Sequence, residues 1–67
     1  MIITINGKST DKYSEELSVE ELLEKLSLAN SLTIVELNKI ALKKKDHKKI
    51  LIKDRDIIEI VQIAAGG

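Results

Sequence analysis

The chain has no cysteine and no proline, a single aromatic residue (Tyr13) and a single histidine (His47). Without cysteine there is no disulfide framework, no thiolate nucleophile and no iron-sulfur ligand set. Without further aromatics there is no platform on which nucleic-acid bases stack. A zinc site needs about four ligands. The lone His47, between Asp46 and Lys48, has no such company, so it is expected at the surface and no metal site is expected. Ser27, Ser31 and Thr33 have no base partner, which leaves nucleophilic catalysis without a constellation. No stretch approaches the ~20 apolar residues of a membrane span, and the amino terminus shows no charged segment followed by a signal-like core. The expected setting is therefore the cytoplasm. Lack of proline also removes the usual boundary marks, so element ends must be placed from caps and turns.

What is present is aliphatic. Eleven Ile, nine Leu and three Val supply nearly all the apolar volume of 67 residues. That length allows one small domain, 1–67, with one core, and any chemistry must sit at a surface or an end. Formal net charge is zero, yet the charges are segregated. Glu15, Glu16, Glu20, Glu21 and Glu24 cluster early, whereas Lys43, Lys44, Lys45, Lys48 and Lys49 cluster late. With no overall basic excess, the late cluster reads first as a solvated loop and only second as a phosphate-binding patch.

Met1, Ile3 and Ile5 alternate and run into Asn6-Gly7, a strand entering a tight hairpin whose central residues reach positive φ at least cost. The return strand, Lys8 to Tyr13, is polar and suits a sheet edge. In "LSVEELLEKLSL", Ser18 and Glu21 form a capping box and Leu17 with Leu22 a hydrophobic staple, so two signals place one helix start. Val19, Leu22, Leu23 and Leu26 then make one apolar stripe. The glutamates are explained by capping and solvation; no neighbouring feature marks them for acid-base chemistry. "LTIVELNKIAL" reads as two strands around Asn38-Lys39, and Ile50 and Ile52 return toward the core after the lysine loop. The charged turn Lys53 to Asp56 launches a last strand, "IIEIVQI". One helix over one mixed sheet of four to five strands, an α+β arrangement, buries this pattern economically.

The last strand raises two questions. Ile58 and Ile60 form its core face, but the opposite face, Ile57, Glu59, Val61 and Ile63, grows apolar toward the end. Either the preceding loop covers that face or Val61 and Ile63 belong to a docking surface. The chain as given then closes on Ala64-Ala65-Gly66-Gly67. With glycine near 7% of ordinary usage, two closing glycines arise by accident in roughly 0.5% of chains. A frayed end is the bland explanation.

"INGK" at the first turn, "SVEELLEKL" in the helix, "VELNK" in the third strand, "DRDIIEIVQI" and the closing Gly66-Gly67 together resemble the ubiquitin-like β-grasp sulfur carriers, most closely the ThiS type of thiamine biosynthesis. The resemblance implies a β-grasp fold with first and last strands parallel at the sheet centre, the helix across one face, and a flexible tail, 64–67, projecting from the final strand. It implies a carrier and no enzyme. Gly67 would bear the reactive carboxylate, while Gly66, Ala65 and Ala64 thread into a partner's active site. The implied partners are a ubiquitin-activating-type adenylyltransferase that uses ATP and magnesium, a persulfide sulfur donor protein, and thiazole synthase. The carrier itself would bind no cofactor, nucleic acid or membrane. Ala65 and Arg55 stand where relatives often have glycine, which alters the tail and a turn, and the lysine-rich stretch departs from the usual pattern.

Two further readings stay open on the residues. The small subunit of molybdopterin synthase, a tRNA-thiolation carrier or a protein modifier would share the tail chemistry. A nucleic-acid or interaction module would use Lys43 to Lys49 and leave the glycines incidental.

Overall fold

The computed structural model describes residues 1–14 and 16–63; Glu15 and the expected tail residues Ala64, Ala65, Gly66 and Gly67 lie outside the described residues. The first hairpin pairs β1 (Ile3–Ile5) with β2 (Lys8–Thr10) across Asn6-Gly7, whose φ angles are 48° and 83°. The turn has the left-handed geometry that its residues favour. The return strand stops at Thr10, short of the Tyr13 expected from its polarity, because Tyr13 turns inward and becomes part of the core. The Tyr13 carbonyl accepts a hydrogen bond from the amino terminus at 2.8 Å.

A two-residue strand, β3 (Leu17–Ser18), leads into helix α1 (Val19–Lys25). The expected capping box is present: Glu21 N donates to Ser18 Oγ at 3.0 Å and Ser18 N donates to Glu21 Oε1 at 2.8 Å. The Ser18 backbone bond, followed by the Ser18 side-chain bond, holds the Glu21 carboxyl below the ordinary glutamate value against a little desolvation, with Lys25 adding to the lowering. That direction suits a cap and opposes service as a general acid at neutral pH. Val19, Leu22 and Leu23 are buried and Leu26 packs against the core, as the stripe requires. The helix closes with Leu28 N donating to Leu23 O at 2.7 Å and Ser27 N donating to Glu24 O at 3.0 Å, a Schellman motif. Ser27 takes the left-handed position, φ 61°, that glycine usually fills there.

The second hairpin is β4 (Thr33–Leu37) and β5 (Ile40–Ala41), turning at Asn38-Lys39. A 3-10 turn, Lys44–Asp46, and β6 (Leu51–Ile52) follow, and the last strand is β7 (Ile57–Gln62). The main sheet has five strands in the order β2-β1-β7-β4-β5. Within it β1 and β7 are parallel and every other neighbouring pair is antiparallel. β3 and β6 form a separate antiparallel ribbon, which two residues of sequence could not announce. Ile3, Val35, Ile52, Ile58, Val19 and Leu22 are the fully buried heart of the core, between sheet and helix.

His47 corrects the expectation of a surface residue: it is only 5% exposed, and its Nε2 has no hydrogen-bond partner among the described residues. The reason is tertiary. The loop folds against the start of α1, where Glu20 N donates to His47 O at 3.1 Å and Val19 N donates to Ile50 O at 2.9 Å. The loop carbonyls thereby accept from helix N–H groups that lack intrahelical partners, and the His47 ring is drawn inward with them.

Glycine is scarce in the body of the chain, and left-handed backbone falls on Asn6, Ser27, Asn38, Lys39 and Arg55. At Arg55 (φ 75°) the turn keeps the geometry that suits glycine instead of changing to accommodate a side chain. Left-handed backbone costs a side-chain-bearing residue about 1–2 kcal/mol, and the Arg55–Asp54 ion pair at 3.7 Å is too exposed to offset much of it. Arg55→Gly is therefore expected to raise the free energy of unfolding by about 0.5–1 kcal/mol in urea titrations, after the larger chain entropy of glycine is subtracted. A lowered urea midpoint would contradict this account of the turn.

Candidate functional site

The candidate site is the outgoing end of β7, and its geometry is set by how that strand is held. On one side β7 pairs with β4 from Leu37↔Ile58 to Thr33↔Gln62. Ile63 N extends the ladder by donating to Leu32 O at 2.8 Å. On the other side the parallel ladder with β1 covers only Thr4↔Ile57 and Ile5↔Ile58 before β1 turns away. The Asn6 side chain continues it. Asn6 Oδ1 accepts from Ile60 N at 2.7 Å and Asn6 Nδ2 donates to Ile60 O at 3.2 Å, so one amide does the work of a missing strand residue.

A second asparagine secures the start of the strand. Asn38 Oδ1 accepts from Ile57 N at 2.9 Å, Asn38 N donates to Ile57 O at 2.7 Å, and Asn38 Nδ2 donates to Asp56 Oδ1 at 3.1 Å. Asp56 Oδ2 accepts from Lys53 N at 2.8 Å and Asp54 Oδ1 from Ile2 N at 2.7 Å, which ties the charged turn to β1. The residues of "DRD" are thus structural fasteners.

Alternation along β7 sends Ile58 and Ile60 into the core and leaves Ile57, Glu59 and Val61 on the open face. On that face Val61 lies opposite Ile34, and the neighbouring rung places Glu59 opposite Glu36. Val61 is 58% exposed, Ile63 48%, Ile34 47% and Leu32 57%. The question left by the sequence is answered: the lysine loop packs beside the helix, on the other side of the sheet, and does not cover Val61 and Ile63. An apolar patch therefore surrounds the point where the chain continues into residues 64–67. The sequence names Val61 and Ile63 on this face, and the structure adds the exposed Leu32 and Ile34 beside them. Those two become visible only through the β4–β7 register.

Gln62 Nε2 donates to Ser31 Oγ at 3.3 Å, linking the strand end to a cleft of about 340 Å³ lined by residues of α1, the 29–31 turn, Thr33, Lys44 and His47. Among the described residues no group of three His, Cys, Asp or Glu side chains is placed to hold a metal ion. No described helix is long and apolar enough to cross a membrane. The site thus offers an exposed apolar face and a held strand end.

The ThiS family model matches residues 2–67. The chain belongs to the ThiS family. The sulfur carrier protein ThiS of Bacillus subtilis (strain 168) is 33% identical over 66 residues, spanning 98% of this chain and all of that one. The crystal structure of the thiamine biosynthesis protein ThiS of Geobacter metallireducens superposes with a TM-score of 0.83 at 36% identity, with full coverage of both chains. The solution structure of a thiamine biosynthesis protein from the same organism gives 0.82 at 36% identity, covering all of this chain and 88% of that one. The parallel β1–β7 pair at the centre and the helix across one face are the ubiquitin-like β-grasp, and membership places the chain among the ThiS sulfur carriers of thiamine biosynthesis.

The Asn6 clasp is testable apart from the turn it sits in. Asn6→Gly keeps the left-handed backbone but strips the amide, leaving Ile60 N–H without its partner. Unfolding free energy is expected to fall by about 1–2 kcal/mol, with faster hydrogen exchange at the Ile60 amide. Unchanged exchange at Ile60 would show that the clasp does not hold the strand.

Proposed function

We propose that the chain is a cytoplasmic, non-enzymatic carrier whose reactive group is the Gly67 carboxylate. One observation carries the reading: β7 is bonded on both flanks through Ile60 and to Leu32 at Ile63, so the residue that precedes Ala64-Ala65-Gly66-Gly67 in the sequence is held at a fixed point. An enzyme that grips the body there receives the end of the chain in a reproducible position.

A carboxylate is a poor electrophile because its negative charge repels nucleophiles. In the proposed sequence, a ubiquitin-activating-type adenylyltransferase using ATP and magnesium converts Gly67 to an acyl-adenylate and releases pyrophosphate. A persulfide sulfur on a donor protein then attacks the acyl carbon and displaces AMP. Reductive cleavage of the resulting acyl disulfide, by a thiol, leaves a thiocarboxylate at Gly67 for delivery to thiazole synthase. Gly66, free of a Cβ, and the small Ala64 and Ala65 suit a narrow channel around the reacting carbon. The absence of cysteine fits this division of labour, since the sulfur rides on the main-chain end.

Deleting Gly67, or appending one residue after it, is expected to abolish carrier-dependent ATP–pyrophosphate exchange by the adenylyltransferase while leaving the melting temperature unchanged. Exchange that persists at the wild-type rate would contradict Gly67 as the adenylylated end. Val61→Asp and Ile63→Asp are each expected to weaken binding to the same enzyme by roughly tenfold or more, since a charge is placed in a desolvated contact. Both side chains are exposed in the free chain, so stability should change by only about 0.5 kcal/mol. A large loss of melting temperature with unchanged affinity would contradict the docking role.

A further inference from the structure

The lysine loop is not absorbed by this account, and its structure differs from that of a loose solvated segment. Lys43, Lys44, Lys45, Lys48 and Lys49 are all exposed, while His47 is buried and Leu42 and Ile50 pack partly against the core. The backbone between them is bonded turn on turn. Asp46 N donates to Lys43 O at 2.9 Å, His47 N to Lys44 O at 3.1 Å, and Lys49 N to Asp46 O at 3.0 Å. Five cations are thus held on an ordered scaffold, and none of them has a carboxylate within salt-bridge distance among the described residues.

Their position matters as much as their order. Leu42 N donates to Val35 O at 2.9 Å, so the chain entering the loop runs beside β4 toward Thr33, which pairs with Gln62 at the outgoing end of β7. Lys44 and Thr33 line one cleft, and Ser31 on that cleft accepts the Gln62 side chain. Two strand spacings, about 10 Å, separate that flank from β7. A protein that takes the tail therefore meets Lys43 and Lys44 at the same end of the molecule, with the rest of the loop leading from there to the start of α1.

We propose that the Lys43–Lys49 loop is a second docking element, which receives an acidic surface of the adenylylating enzyme when that enzyme takes the tail. This rests on the carrier reading above. The observations favour an acidic protein surface over a nucleic acid. Glu20 and Glu24 line the same cleft as Lys44, so a phosphate backbone following it would meet like charge. Net charge is zero and the one aromatic, Tyr13, is buried, which leaves no base-stacking platform. A compact carboxylate patch can meet the lysines alone. Because the loop is already ordered, docking requires little further loss of backbone freedom.

The test compares the full chain with a triple variant, Lys43→Glu, Lys45→Glu and Lys48→Glu, and with the corresponding triple Lys→Gln variant. All three substituted side chains are exposed, and matched thermal melts verify the fold. Association with the adenylylating enzyme is followed at low and high salt, together with adenylate formation at saturating carrier. At low salt the glutamate variant should associate about tenfold more slowly or worse and the glutamine variant less so, with the gap closing at high salt and saturated turnover unchanged. Equal association of all three chains at low salt overturns the inference while leaving the carrier reading intact. Failure of the wild-type chain to be adenylylated overturns both. Lysine-dependent binding to a single-stranded RNA oligonucleotide, with enzyme association unaffected, also overturns it.

Discussion

The structure depends on one strand being bonded from both sides. β7 lies at the centre of the sheet, with β4 antiparallel on one flank and β1 parallel on the other. Buried backbone groups must find partners, and a three-residue β1 cannot supply enough of them. The Asn6 side chain fills the deficit at Ile60, and on the opposite flank the Asn38 side chain extends the β4 pairing to Ile57. Both asparagines sit in left-handed hairpin positions, so each serves its own turn and the central strand together.

From that arrangement the two faces follow. Ile58 and Ile60 are committed to the core beneath α1, so strict alternation commits Val61 to the open face beside Ile34. In the carrier reading this exposed apolar patch is the face that the partner enzyme grips. Its place at the end of the last strand is a consequence of strand direction: β7, antiparallel to β4, ends where β4 begins. The helix contributes by covering the other face, and its capping box, Schellman end and apolar stripe agree on its limits.

Features encoded within a few residues were legible in the sequence. The Asn6-Gly7 and Asn38-Lys39 turns, the Ser18–Glu21 cap and the alternation of β7 each carry their own local signal, and each is present. Non-local features were not readable in that way. The parallel β1–β7 pairing came from resemblance, because no pattern within either strand names its neighbour. His47 was misplaced for a related reason. Its polar, lysine-rich surroundings suggest exposure, whereas its burial is decided by contact with helix N–H groups more than 25 residues away. Tyr13 likewise left the expected edge strand because a core with one aromatic draws that side chain inward. The asparagine clasps lay in plain view as turn residues, but their second role needs the register of the sheet.

The carrier reading joins a body whose last strand is bonded as far as Ile63 to chemistry proposed at Gly67. Division of labour of this kind asks the body to be recognised and only the end to react. The most direct measurement is intact-mass analysis with backbone fragmentation, after the chain is incubated with ATP, magnesium, the adenylyltransferase and a sulfur source. The account predicts a gain equal to the exchange of one oxygen for one sulfur, confined to the fragment that contains Gly67. An unchanged mass under conditions that convert a known ThiS carrier, or sulfur located on any other residue, would contradict it.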